Sequence, residues 1–168
     1  MGYTHYWEEG SKPLTDAKKM SSIKAVRSFL KWANKDMPNI LADGHGTKDT
    51  NPVIDADKKY VAFNGIGDES HEGMVFEEEW DGQFAFCKTA RKNYDAIAVA
   101  SLCVYKHHLG DALSFTSDGD RGELREGYEL YVLHCLKSRK TQKSIDELFS
   151  EIRKPEFPQD EVIEEMDE

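Results

Sequence analysis

Phe84-Ala85-Phe86-Cys87-Lys88-Thr89-Ala90-Arg91-Lys92-Asn93-Tyr94-Asp95 offers the first chemistry in this chain: an alternating apolar run ends in three cations and a hydroxyl, and a long apolar segment follows. Strand ends beside helix starts are frequent places for ligand-contacting groups. Lys88 and Arg91 can give charge-assisted bonds to a phosphate or carboxylate, with Thr89 adding a hydroxyl. Ordinary pairing with the many surface acids is the alternative for these cations. The stretch lacks the glycines of a Walker loop.

A second group is Tyr3-Thr4-His5-Tyr6-Trp7. Period-two alternation places Tyr3, His5 and Trp7 on one face. His5 between aromatics suits a proton carrier, with Asp118 or Asp95 as its carboxylate partner. It equally suits a core histidine. Tyr3 and Trp7 can stack on a base or fill a core. Three glycine-bearing segments follow: Asp43-Gly44-His45-Gly46, Asn64-Gly65-Ile66-Gly67 and Ser117-Asp118-Gly119. Glycine lets backbone approach a ligand closely, but each segment alone reads as a turn. If they share one sheet edge, Asn64 and Asp118 become polar rim groups. His107 and His108 are adjacent, so on a helix they point apart. His71 near Asp68, Glu69 and Glu72 lacks zinc-site spacing. No metal or cofactor is expected, and GxSxG, HExxH and CxxC are absent from the sequence.

These groups need elements to hold them. Residues 2–7 read as a first strand. Thr15 or Asp16 caps a helix to about Lys35, with Met20, Ile23, Val26, Phe29, Leu30 and Ala33 on its apolar face. Residues 39–57 are polar and Gly-rich. Strands are expected at 59–64, 73–78 and 83–88, the last two joined at Asp81-Gly82 as a hairpin within an antiparallel meander. Residues 94–109 form a helix apolar almost all round and therefore central, stopped at Gly110. A strand at 113–116 and a helix at about 123–137 follow, and Ser144 with Glu147 gives a further capping pattern. The expected class is α+β in two layers, a mainly antiparallel sheet with helices packed on it.

The bulk numbers set bounds. The chain has 168 residues, 39% apolar and 32% charged, with a formal charge of -10. One domain over residues 1–154 is expected, able to bury a core unaided. Residues 155–168 carry seven acids and no Lys or Arg, which leaves residues 1–154 at about -3 and reads as a disordered tail. That balance opposes duplex DNA binding. No apolar run spans a bilayer, and the start is not a secretory leader. Cys87, Cys103 and Cys135 are widely spaced in apolar surroundings, as expected of reduced, buried thiols in the cytoplasm.

Residues 1–7 (MGYTHYW), Phe63-Asn64-Gly65, Phe86 to Arg91 with Tyr94-Asp95, Lys106 to Asp111 and Ser117-Asp118-Gly119 together resemble a family of uncharacterised small proteins of bacteria and their phages. The resemblance runs in order to about residue 120. Asn93 stands where many members have Pro, which relaxes the turn before the helix. The resemblance implies a shared pocket rather than an activity. The leading expectation is a site for a nucleotide-like or other phosphorylated small molecule, formed by Tyr3, His5, Trp7, Asn64, Lys88, Thr89, Arg91, Asp95 and Asp118. In a phage-encoded protein, its purpose would be sequestering an immune signal as a counter-defence. A hydrolase using the same pocket, with His5 and Asp118 catalytic, is the second expectation. A protein-interaction inhibitor acting through its acidic tail is the third. The chain can also form a homo-oligomer.

Overall fold

The computed structural model describes residues 3–139. The expected helix near Ser144, the acidic tail and Cys135's side chain lie outside the described residues. The order is β1 (Thr4–Glu9), α1 (Asp16–Asp36), β2 (Leu41–Ala42), β3 (Tyr60–Gly65), β4 (Met74–Glu77), β5 (Ala85–Lys88), α2 (Asp95–Leu109), β6 (Leu113–Ser117) and α3 (Arg121–Arg139). The class is α+β, with antiparallel strands and helices packed on them. Among the described residues, no helix is long and apolar enough to cross a membrane.

Local chemistry explains the helices. Thr15 caps α1, its Oγ1 accepting from Lys18 N–H at 3.2 Å. Ser22, Ile23, Val26, Phe29, Leu30 and Ala33 form its buried stripe. Met20, placed on that face by its spacing, is instead 51% exposed. α2 is buried from Ile97 to Tyr105 and packs between α1 and α3. A helix with apolar residues on every side needs neighbours on every side. Gly110 ends it with φ +56°, a conformation that strains L side chains.

The strands form two three-stranded sheets, β5-β1-β6 and β2-β3-β4, and not one meander. β5 pairs with β1, His5 standing opposite Cys87, and β1 pairs with β6, His5 standing opposite Ser117. The expected 73–88 hairpin does not zip. Gly82 (φ +89°) does sit in a turn, but its carbonyl accepts from Glu9 N–H at 2.9 Å, drawing the turn toward β1. The pleat also slips between Glu72 and Val75. Glu72 N–H faces β5, donating to the Lys88 carbonyl, whereas Glu78 N–H faces β3, donating to Lys59. Alternation back from Glu78 turns Phe76 and Met74 toward β3, so β4 meets β5 one residue out of phase.

The glycine-bearing segments divide between the sheets. Gly67 N–H donates to Gly46 O (2.9 Å) and Asn64 Nδ2 to Gly44 O (3.2 Å), so two of them meet beside β3. Residues 117–119 lie at the end of the other sheet.

Candidate functional site

The site forms where β1, β6 and the β5–α2 connection meet. Alternation turns the Tyr3, His5 and Trp7 side chains inward, and all three are buried. His5 is completely enclosed and bridges two elements. Its Nε2 lies 2.6 Å from Asp95 Oδ1 at the start of α2, and its Nδ1 lies 2.8 Å from Ser117 Oγ at the end of β6. An ionised carboxylate only accepts, so in the neutral ring Nε2 holds the hydrogen and Nδ1 accepts from Ser117. Thr89 Oγ1 donates to the same Asp95 oxygen at 2.5 Å. Asp95 thus gathers two buried donors on Oδ1, while its side chain keeps 15% exposure.

That exposure opens into a cleft of about 390 Å³ walled by Tyr3, Arg91, Lys92, Asn93, Glu123 and Glu126. The volume is in the range of small-molecule sites. The connection along its edge is tightly wound. Thr89 and Ala90 N–H both donate to the Tyr3 carbonyl, at 3.1 and 3.3 Å, and Lys92 N–H returns to Thr89 O. Ala90 and Arg91 take φ of +52° and +56°. Left-handed backbone at two successive non-glycine residues costs about 1–3 kcal/mol each. The result is an Arg91 guanidinium 4.3 Å above the Tyr3 ring, 3.1 Å from Glu123 and still more than half exposed. On its edge nearer His5, the Tyr3 ring makes a T-shaped contact with that imidazole at 5.2 Å. Burial drives the Tyr3 phenol well above its ordinary pKa, with the Asp95 charge adding. Its hydroxyl is sealed against Gly119 and, among the described residues, has no hydrogen-bond partner of good geometry, Ser117 Oγ being engaged by His5 and by Gly119 N–H at 3.0 Å.

Around the cleft Arg91 and Lys92 face Asp95, Glu123 and Glu126, so it is amphoteric and not simply cationic. The other expected residues do not line the cleft. Lys88 stands opposite Thr4, out of phase with the inward Cys87 and on the outer side of the sheet. Asp118 is on that side too, accepting from Thr4 N–H (3.1 Å) and from the Tyr6 hydroxyl (3.1 and 3.2 Å). Of the two carboxylates considered for His5, Asp95 is the one at bonding distance. Asn64 is buried, with bonds to Gly44, Gly65 and His71, which makes it a loop bracket with no access to the cleft. Trp7 stacks on Phe76 at 6.0 Å in the core. Thr89 is fully buried and orients Asp95. Ser117, Glu123 and Glu126 were not singled out from the sequence. Ser117 could have been found only from the β1–β6 register, and the two glutamates from the docking of α3 beside Arg91.

Comparison of the chain with protein-family models, with curated proteins and with solved structures gave no match.

Proposed function

We propose that the cleft binds a nucleotide-like phosphorylated small molecule. The supporting observation is Arg91. Two strained residues hold its guanidinium on Tyr3 with Nε and Nη2 on Glu123, and its exposed outer face and the neighbouring Lys92 can meet a planar ring and an anionic group. Asp95, Glu123 and Glu126 are acceptors for amino or hydroxyl donors. A phosphorylated nucleoside carries all three kinds of group, whereas inorganic phosphate would meet net repulsion. In a phage protein such a site would serve to sequester an immune nucleotide signal. Lys88, Asn64, Trp7 and Asp118 play no part in this reading.

Calorimetry against mononucleotides, cyclic nucleotides and uncharged nucleosides tests it. Nucleotides should bind, nucleosides should bind far more weakly, and Arg91→Ala should weaken nucleotide binding at least about tenfold. Folded protein with no nucleotide Kd tighter than about 1 mM would overturn it.

The Ser117–His5–Asp95 relay favours a second reading, hydrolysis of a phosphodiester or glycosyl bond. Asp95 orients the ring and His5 Nδ1 can take the Ser117 proton. His5→Ala would then abolish turnover while leaving binding measurable. Bound nucleotide recovered chemically intact after long incubation would favour sequestration.

A further inference from the structure

A separate slot lies where the two sheets fail to join. β4 and β5 are clasped at one end, where Glu72 N–H donates to Lys88 O (3.1 Å) and Lys88 N–H donates to the Glu72 carboxylate (2.7 Å). Beyond that clasp they share no ladder. A slot of about 360 Å³ opens between Val75 and Glu77 on one bank and Phe84 to Phe86 on the other, floored by Trp7, Phe76, Trp80 and Tyr105.

Both banks turn main-chain groups toward the slot, those of Lys88 being taken by the clasp. Lys88 turns its N–H and C=O away from β1, and Phe86, two residues earlier, has the same sense. Thr89, of the opposite sense, bonds the Tyr3 carbonyl, as the alternation requires. On the other bank, Ala62 exchanges both main-chain bonds with Val53 (2.8 and 3.1 Å), so Val75, its partner across β3–β4, faces the slot. The side chains are as open as the backbone: Val75, Phe84 and Phe86 are 41%, 58% and 54% exposed. An exposed apolar edge is a template for another strand.

The rim selects the occupant. Glu77 lines the slot and is exposed, and the exposed Glu8, Glu79 and Asp81 are the chain neighbours of Trp7 and Trp80 on its floor. Lys59 reaches Glu79 at 3.5 Å, and Lys88 is the cation at the clasp. We propose that the slot takes an extended, basic peptide segment of a partner protein. It adds as a strand between β4 and β5, with alternate apolar side chains on the aromatic floor and Lys or Arg toward the acidic rim. At about 3.3 Å per residue, the four-residue β4 matches about four residues of the guest. The chain's own residues 155–168, with seven acids and no Lys or Arg, would meet like charge there, as would a nucleic acid.

Fluorescence anisotropy on the full chain tests this with a labelled hexapeptide of alternating Lys and Phe or Val. Comparators are its Glu-for-Lys counterpart, a copy N-methylated at alternate residues, and a thymidine hexanucleotide. The Lys peptide should bind tightest and perturb tryptophan emission through Trp7 and Trp80. N-methylation should cost at least about tenfold, since it removes ladder bonds. Phe86→Pro should cost a similar factor with the fold intact by circular dichroism, because that N–H points away from β1. The proposal is overturned if the Lys peptide fails to bind folded protein, if the N-methylated or Glu peptide binds equally well, or if the oligonucleotide binds better. A concentration-dependent dimer that blocks the Lys peptide would place a second copy in the slot and overturn it too.

Discussion

Replacing Asp95 with Ala removes the acceptor shared by His5 Nε2 and Thr89 Oγ1. Both donors belong to fully buried residues, so neither finds bulk water in the parent geometry. A hydrogen bond to a charged group contributes about 1.5–3 kcal/mol. The 15% exposure of Asp95 lets water occupy part of the space vacated, which lowers the combined loss to roughly 2–4 kcal/mol. Asp95 is also the acid in the first turn of α2, worth about 0.3–1 kcal/mol more. For a chain of this size each kcal/mol moves Tm by about 2–4 °C, so Asp95→Ala should melt roughly 5–20 °C below the parent. Asp95→Asn keeps a carbonyl oxygen for both donors and should lose less than half as much. Thermal unfolding followed by far-UV circular dichroism reads both. A Thr89→Val single and double mutant closes a cycle in which the double mutant should lose less stability than the two singles summed. An Asp95→Ala melt within about 2 °C of the parent would refute the reasoning. Equal losses for Ala and Asn would assign the effect to helix-end charge and not to the two buried bonds.

Three further outcomes follow from the same geometry. A Cβ at Gly119 would lie 2.2 Å from the Tyr3 hydroxyl oxygen, so Gly119→Ala should cost about 1–3 kcal/mol in denaturant unfolding, and adding Tyr3→Phe should recover most of it. Burial pushes the Cys87 thiol up to about 12, so iodoacetamide at pH 8 should leave it unmodified in folded protein and label it after denaturation, as mass mapping will report. Burial holds His134 below the ordinary histidine pKa, so the unfolded state binds the proton first as pH falls through about 6.5. Its stabilising contribution is complete above that pH and shrinks toward the depressed folded pKa. Urea midpoints should therefore fall less steeply between pH 7.5 and 5.5 in His134→Gln than in the parent.

Local pattern carried much of this protein. The Thr15 cap, the Ile23–Ala33 stripe, the all-round apolar run of α2 and the inward Tyr3-His5-Trp7 face depend on neighbours a few residues away. Those are interactions that spacing reports directly. The cationic connection after β5 and its closeness to a helix start were legible too, in cations crowded into an acidic chain, whereas its left-handed backbone at Ala90 and Arg91 was not. Strand partnership was another matter. Which edge β5 chooses depends on where β1, more than 70 residues earlier, settles between β5 and β6, and on a slip at Gly73 that alternation cannot show. Pairing also decided the site. Setting His5 opposite Ser117 and Cys87 put Lys88 and Asp118 on the outer side of the sheet, and α2 supplied Asp95. Side-chain identity records what a residue can bond. Only the packed sheet and helices, through the pleat and the direction each element enters, determine which of those bonds are within reach.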